Sequence, residues 1–465
     1  MTTPPVPQRA LFAAHALLPE GWANDVLLTW DDAGSLTEVR SVDANTTTNV
    51  PQAPGPLIAG MPNLHSHAFQ RAFAGLSEYR SAGTGNDSFW TWRDLMYRFA
   101  RTLSPEQLED IATHLYVEML QAGYTSVCEF QYLHHDVSGQ PYGDPAEMSL
   151  RLLAAAERAG IGITLLPVLY QNSGFDGRAP RADQRRFINS VDSLLRIVER
   201  LRAHDARSGV APHSLRAVAP HALAELVSGL YALDPSAPIH IHIAEQAQEV
   251  QDCLAWSGQR PVQWLLDHTA VGAHWCLVHA THMDATETRA AAASGATVGV
   301  CPSTEANLGD GVFDAVGWAA GNGHWGIGSD SHASVDAAEE LRLLEYAQRL
   351  TRQQRNLLTS ARHPQVADHL WLASASGGAR ASGRPVGTLA VGAQADFVVL
   401  DVAHALADLG PSQVLANHVF ASHGRNTVRD VWVGGQQRIL NGGHALEGPA
   451  CEGFVAARSQ LLRQV

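Results

Sequence analysis

Short apolar runs alternate with longer amphipathic segments through most of the chain. The apolar runs have the length of buried β-strands and fall at residues 57–61, 124–129, 161–168, 209–213, 239–243, 275–279, 296–300 and 325–329. Most of the segments between them have helical periodicity and helix boundary signals. Eight strand–helix repeats predict an α/β fold, a closed parallel (β/α)8 TIM barrel. A doubly wound open sheet is the alternative fold.

Two of the predicted helices have clear signals at their ends. Ser104 is placed to cap one of them, Pro105 occupies its first turn, Gln107 completes a capping box, and Gly123 is expected to end it. The next helix is expected to end at Gly160, because glycine adopts the left-handed conformation that closes many helices.

Both ends of the chain depart from this alternation. Residues 1–56 contain short β-like runs such as ALFAAHALL and DVLLTW, and residues 385–465 contain the glycine-punctuated segments VGTLAVGAQADFVVLD and TVRDVWVGGQQRIL. Both ends lie outside the predicted barrel of residues 57–384. We therefore expect them to form one small β-sandwich domain together.

Composition and charge restrict the classes of partner. The chain has 465 residues and a net charge of -14, which argues against nucleic acid or an anionic membrane as a partner, since both require a basic face. An anionic substrate would need local arginines. The five cysteines include no C-x-x-C, no apolar run reaches membrane-spanning length, and no signal peptide is evident at the N-terminus. These features predict reduced thiols and a cytoplasmic protein.

The sequence contains no lysine, so all 32 basic residues are arginines. This excludes a Walker P-loop, a pyridoxal phosphate Schiff base and a lysine nucleophile. It also excludes a carbamylated lysine that bridges two metal ions in a barrel hydrolase.

Chemically active residues recur where the predicted strands end. His65 and His67 form an H-x-H pair after an apolar strand, and residues two apart on a strand face the same side. His242, His279 and Asp330 each end a later apolar run. The C-terminal ends of parallel barrel strands meet on one face, so these residues are expected to converge there. His240 lies deeper on its strand and is expected to be packed or to support other residues.

In its motifs the chain resembles the amidohydrolase superfamily. PGPLIAGMPNLHSH is similar to the first-strand motif of that superfamily, and GTLAVGAQADFVVLD is similar to its C-terminal return segment. The resemblance implies one divalent metal, with zinc as the expected ion, bound by His65, His67, His242 and Asp330. The absence of lysine supports a single metal ion; Glu129 is the candidate that could bridge a second one. Imidazole and carboxylate ligands also suit iron or manganese.

The same resemblance implies the catalytic roles. Asp330 and His279 would accept a proton from the attacking water and orient it, and Glu245 would protonate the leaving nitrogen. A solvated carboxylate at the start of a helix is the structural alternative for Glu245.

Within the superfamily, the segments NLHSHAFQRAFAGL, DSFWTWRDLMYRFA, APHSLRAV and CPSTEANLGDG are most similar to the subgroup that deiminates N-formimino-L-glutamate in histidine breakdown. This small substrate carries two carboxylates, for which Arg93 and Arg216 are the candidate receptors. His213, Gln70 and Tyr132 are further candidate contacts. The alternatives are a deaminase of a purine or another heterocycle on the same scaffold and a non-catalytic barrel protein. A homodimer is expected from the superfamily.

Overall fold

The computed structural model describes residues 9–47, 49–80, 89–402, 406–422 and 426–464. Its strands are β1 (Ala10–Leu18), β2 (Gly21–Trp30), β3 (Leu36–Ser41), β4 (Leu57–Ala59), β5 (Met61–Ser66), β6 (Tyr124–Gln131), β7 (Gly162–Leu169), β8 (Ala211–Pro212), β9 (Ile239–Ile243), β10 (Trp275–His279), β11 (Thr297–Val300), β12 (His324–Ile327), β13 (Phe397–Leu400), β14 (Val428–Val433), β15 (Gln436–Leu440) and β16 (Gly443–His444). Its α-helices are α1 (Phe89–Thr102), α2 (Pro105–Gln121), α3 (Glu147–Ala159), α4 (Val191–Arg202), α5 (Pro220–Leu233), α6 (Ala247–Ser257), α7 (Pro261–His268), α8 (Ala285–Ser294), α9 (Pro302–Leu308), α10 (Ala315–Ala320), α11 (Ala337–Arg352), α12 (Val366–Ser382), α13 (Pro411–Ala421) and α14 (Glu447–Leu462). Short 3₁₀ helices occur at Ala44–Thr46, Ala68–Phe73 and Ala182–Gln184.

The eight strands β5 to β12 form the predicted parallel barrel. They pair in chain order as two four-stranded halves, β5-β6-β7-β8 and β9-β10-β11-β12. Parallel bridges from Val210 to Ile239 and from Ser66 to Asp330 join the halves on both sides. Because the strands close on themselves, the TIM barrel prediction is confirmed and the open-sheet alternative is wrong.

The first predicted strand, residues 57–61, is wrong at its boundary. Leu57–Ala59 pairs with β1 and β13 outside the barrel, and the first barrel strand begins only at Met61. The chain changes sheets at Gly60, where a Cβ atom would clash with the side chain of Thr125. Residues of both strands are buried, so hydropathy alone cannot separate them.

The two chain ends share one sheet, as expected. Its order is β16-β15-β14-β13-β4-β1-β2-β3. The sheet folds back on itself, since Ser35 bridges Gln394 in the segment before β13. Its two parts enclose a separate apolar core that includes Leu11, Val26 and Phe397. The C-terminal segment also supplies two helices, α13 and α14, which pack on barrel helices.

The predicted helix boundaries are confirmed. Ser104 accepts a hydrogen bond from the backbone N–H of Gln107, and the Gln107 side chain accepts one from the backbone of Ser104, which completes the capping box of α2. Gly160 closes α3 with a φ of 77°. All five cysteines are free. No helix of the described chain has both the length and the apolar character needed to cross a bilayer.

Candidate active site

The predicted site residues converge at the C-terminal face of the barrel. Ten of the eleven line one cavity of about 50 Å³: His67, Gln70, Arg93, Tyr132, His213, Arg216, His242, Glu245, His279 and Asp330. His65, the eleventh, is fully buried against His67 and His242. His65 lies near the end of β5 and His67 directly follows the strand, and their rings are in contact, as their spacing predicted.

The ligand atoms of His67, His242 and Asp330 lie close to those of His65, as a shared metal ion requires. Nε2 of His242 lies 3.0 Å from Nε2 of His65, and Oδ1 of Asp330 lies 3.4 Å from Nε2 of both His65 and His67. In a tetrahedral zinc site, bonds of about 2.0–2.2 Å separate the ligand atoms by about 3.3–3.6 Å. The two separations of 3.4 Å fall within this range and that of 3.0 Å lies just below it, so the four residues have the chemistry and the approximate spacing of a divalent metal site.

Neighbouring groups orient two of these ligands. The backbone carbonyl of Phe130 accepts a hydrogen bond from Nδ1 of His67 at 3.0 Å, which leaves the lone pair of Nε2 facing the cluster. Asp330 has a φ of 49°, a left-handed conformation that is uncommon for an aspartate. Its backbone N–H donates to the carbonyl of His65 at 3.0 Å and fixes this turn.

Electrostatics favour the metal-binding protonation states. Burial lowers the pKa of His65 to about 3 and the pKa of His242 well below its usual range, so both imidazoles are neutral. Burial would raise the pKa of Asp330. The hydrogen bond with His65 and the charge of the nearby His279 have the opposite effect and are stronger, so the pKa of Asp330 lies well below its usual range. Neutral imidazoles and an ionised carboxylate are the forms that bind a metal ion.

A second group of titratable residues borders this cluster. Nε2 of His279 lies 3.9 Å from Oε1 of Glu245 and 3.7 Å from Oδ2 of Asp330. Burial would lower the pKa of His279, but Glu245 and a hydrogen bond to Glu305 raise it to about 10. Burial raises the pKa of Glu245, which favours a protonated carboxyl group that can act as an acid.

Glu129 is engaged in structural hydrogen bonds. Its carboxylate accepts from the Ser66 hydroxyl at 2.7 Å, from the Ala68 backbone N–H at 2.6 Å and from the Tyr116 hydroxyl at 3.1 Å. These bonds hold the segment that carries His65 and His67. Burial raises the pKa of Glu129 to about 7.

Two arginines also line the cavity. Arg93 on α1 and Arg216, which follows β8, both line it and influence each other electrostatically. Burial and Arg216 keep the pKa of His213 well below its usual range, so this imidazole is neutral. Gln70 donates to the Tyr132 hydroxyl at 2.9 Å, while its buried Oε1 atom has no hydrogen-bond partner among the described residues. That oxygen is an acceptor available to a ligand N–H.

Sequence reasoning missed several residues of the site. Glu305 contacts His279, and Glu249 accepts from the backbone N–H groups of Ala244 and Glu245, both at 3.1 Å. Tyr170 directly follows strand β7 and lines the cavity, so the strand-end rule could have found it. Glu305 lies on α9 within CPSTEANLGDG, five residues after β11 ends, so only its place in that segment could have drawn attention to it.

His240 does not reach the cavity. Its Nε2 donates to the carbonyl of Ala381 at 2.8 Å, and the residue is fully buried. The expectation that it is packed behind the site is confirmed.

A family model supplies an independent comparison. The model of the amidohydrolase family matches residues 57–438, which is most of the chain. The chain belongs to the amidohydrolase family.

Individual relatives match this amidohydrolase over nearly its whole length. It is 50% identical over 457 residues to a formimidoylglutamate deiminase from Pseudomonas aeruginosa, a match that covers 97% of the chain and 99% of the relative. A crystal structure of an amidohydrolase from Brucella melitensis superposes with a TM-score of 0.91 and 47% identity, covering 98% of the chain and 100% of that structure. An adenosine deaminase from Xanthomonas campestris, solved with bound zinc, shares the fold with a TM-score of 0.78, 22% identity and 98% coverage of both chains.

Proposed function

We propose that this amidohydrolase hydrolyses N-formimino-L-glutamate to N-formyl-L-glutamate and ammonia, a reaction of histidine breakdown. One observation carries the proposal: a single small cavity is lined both by the histidine–carboxylate cluster and by Arg93 and Arg216. A small dianion with a hydrolysable amidine matches both groups of residues. The identity to the Pseudomonas aeruginosa deiminase supports the same reaction.

We assign one divalent metal per chain, with Zn²⁺ as the expected ion, to His65, His67, His242 and Asp330. Such an ion acts as a Lewis acid and lowers the pKa of a bound water toward about 7. The ring orientations of the histidines and the ionised state of Asp330 support this assignment.

The remaining chemistry is proton transfer by the protein. His279 and Asp330 flank the position of the attacking water. The ionised carboxylate of Asp330 takes up its proton, and the protonated His279 orients the water and stabilises the developing negative charge. Glu245, whose pKa burial raises, delivers a proton to the departing nitrogen, so that ammonia leaves rather than an amide anion. The separation of 3.9 Å between Glu245 and His279 supports a joint action of the two groups on one reacting carbon.

The arginines compensate for the acidic character of the whole protein. A dianion that approaches a chain of net charge -14 is repelled at long range, and its carboxylates lose hydration in a buried cavity. Guanidinium groups offset both effects, because each can donate two parallel hydrogen bonds to a carboxylate.

An ammonia-release assay tests the proposed function. The metal-loaded enzyme is supplied with N-formimino-L-glutamate, N-formimino-L-aspartate, guanidino acids and adenosine, and the products are identified by mass spectrometry. We expect the highest kcat/KM for formiminoglutamate and N-formylglutamate as its product. A higher kcat/KM for a purine would establish the heterocycle deaminase instead. Absence of turnover with every compound, at full metal content, would contradict both.

A further inference from the structure

Three buried side chains form a hydrogen-bonded group beside Arg93, one of the arginines that line the cavity. Nε2 of Gln184 lies 3.0 Å from the hydroxyl oxygen of Tyr97 and 2.7 Å from that of Tyr170. Tyr97 is on α1, Tyr170 follows β7, and Gln184 ends a 3₁₀ helix in the same loop as Tyr170. All three are at most 4% exposed, and both tyrosines line the cavity.

The direction of these hydrogen bonds is fixed by the backbone. Oε1 of Gln184 lies 2.8 Å from the backbone nitrogen of Arg181. A backbone N–H can only donate, so this atom must be the carbonyl oxygen of the Gln184 amide. The NH₂ group then faces the tyrosines and donates one hydrogen to each of their oxygens.

This arrangement decides where the phenolic protons point. Each tyrosine oxygen accepts a hydrogen from Gln184, so each hydroxyl must direct its own proton elsewhere. Among the hydrogen bonds of the described residues, none has either hydroxyl as its donor, so both phenolic protons are available to a ligand in the cavity.

The two phenols lie near both arginines, where a carboxylate is expected. Both Arg93 and Arg216 influence Tyr170 electrostatically, and the guanidinium carbon of Arg93 lies 5.5 Å from the centroid of the Tyr97 ring. Burial raises the pKa of Tyr170, so the phenol stays protonated and remains a donor at neutral pH. The arginines provide positive charge for a carboxylate, and the phenol provides a neutral hydrogen-bond donor with a fixed direction.

We propose that the Tyr97–Tyr170 pair donates a hydrogen bond to one carboxylate of the substrate, and that Gln184 is the positioning residue that turns the phenolic proton into the cavity. This inference rests on the proposed function, because it assumes a carboxylate substrate.

The test compares the effect of each variant on the full substrate with its effect on two truncated substrates. Tyr170→Phe removes the hydroxyl and keeps the ring, and Gln184→Met removes the amide and keeps the length of the side chain. Each is assayed with N-formiminoglutamate, with N-formimino-4-aminobutyrate, which lacks the α-carboxylate, and with N-formimino-2-aminobutyrate, which lacks the side-chain carboxylate. Tyr124→Phe is the control, because its buried hydroxyl has no hydrogen-bond partner among the described residues.

Tyr170→Phe should raise KM for formiminoglutamate by roughly 10- to 100-fold, because it removes a hydrogen bond to a charged carboxylate. Its effect on kcat should be smaller. Gln184→Met should act in the same direction. For one of the two truncated substrates, Tyr170→Phe should leave KM nearly unchanged, because that substrate lacks the carboxylate that the tyrosine pair binds. Tyr124→Phe should match the wild type.

Two results would overturn the inference. One is a Tyr170→Phe enzyme with wild-type KM for formiminoglutamate. The other is an equal loss on both truncated substrates, which indicates a structural role. In both cases the wild type still turns over formiminoglutamate, so the proposed function stands. A wild-type enzyme that prefers an uncharged heterocycle would overturn the function and this inference together.

Discussion

Glu305 accepts a hydrogen bond from Nδ1 of His279 at 3.2 Å, although 26 residues separate the two in the chain. The same oxygen, Oε1, also accepts from the backbone N–H of Cys301 at 2.8 Å. Glu305 is 4% exposed. The bond fixes the imidazole so that Nε2 faces Glu245 and Asp330, and it stabilises a positive charge on the ring.

Removal of this carboxylate charge should slow the reaction. Glu305→Gln retains the size of the side chain but loses its stabilisation of a protonated His279. Loss of such a supporting group typically costs about 10- to 100-fold in activity. We expect a fall of this order in kcat with unchanged metal content. Glu340→Gln is the matched control, because Glu340 is equally buried and accepts from Ser303 on the same helix as Glu305. If both variants lose activity equally, the effect is structural.

Glu245 is expected to be the proton donor for the leaving nitrogen. Glu245→Gln retains the size and a hydrogen bond but cannot deliver a proton. A positioned acid contributes about 10²- to 10⁴-fold, so kcat should fall by that order while the metal content stays constant. A variant that retains most of its activity in steady-state assays would contradict the assignment.

Metal analysis should give close to one equivalent per chain for protein purified without added metal. His242→Ala should lose the ion, because it removes one of four ligands. Glu129→Gln should retain one equivalent, since the Glu129 carboxylate is occupied by Ser66, Ala68 and Tyr116. Two equivalents, both required for turnover, would refute the mononuclear site.

The arginines should determine substrate affinity. Loss of one guanidinium partner from a buried carboxylate costs about 2–5 kcal/mol. Arg216→Met should therefore lower kcat/KM for formiminoglutamate by roughly 30- to several-thousand-fold, with metal content and thermal stability nearly unchanged. N-formimino-L-aspartate, one methylene shorter, should react poorly with the wild type. If Arg93→Met and Arg216→Met both retain wild-type kcat/KM, the deiminase function is wrong, although a metal-dependent hydrolase would remain.

A buried carboxyl in the terminal sheet should make stability depend on pH. Burial raises the pKa of Asp396 from 3.8 to about 6, although its side chain accepts from the backbone N–H of Gly434. The folded protein then binds this proton more tightly than the unfolded chain. The stability contribution of Asp396 is therefore present at low pH and lost as pH rises from about 3.8 to about 6, by up to about 3 kcal/mol.

Asp396→Asn removes this titration and retains the acceptor. The melting temperature of the variant minus that of the wild type, measured by scanning fluorimetry, should be higher at pH 7 than at pH 4. Glu20→Gln serves as the control for loss of an exposed carboxyl. A difference that is independent of pH, or that decreases toward pH 7, would contradict the assigned shift.

The barrel and the identity of the converging residues could be predicted from the sequence because both depend on short-range periodicity. Side chains of a β-strand repeat every two residues, which places His65 and His67 on one side. The apolar runs that end at His242, His279 and Asp330 mark the C-terminal ends of strands. Parallel strand order then brings these ends together. Helix caps such as Ser104 are likewise local, since their hydrogen bonds join residues three apart.

Tertiary structure alone decided how the polar side chains pair. The contacts of Glu305 with His279 and of Gln184 with Tyr97 join residues 26 and 87 positions apart. No periodic pattern encodes such contacts, because they depend on how loops from different strands meet above the barrel. The same applies to Gly60, where the chain leaves one buried sheet and enters another. Hydropathy predicts that residues are buried, but it does not predict which neighbours bury them or in which direction their hydrogen bonds point. These contacts form only when the barrel closes.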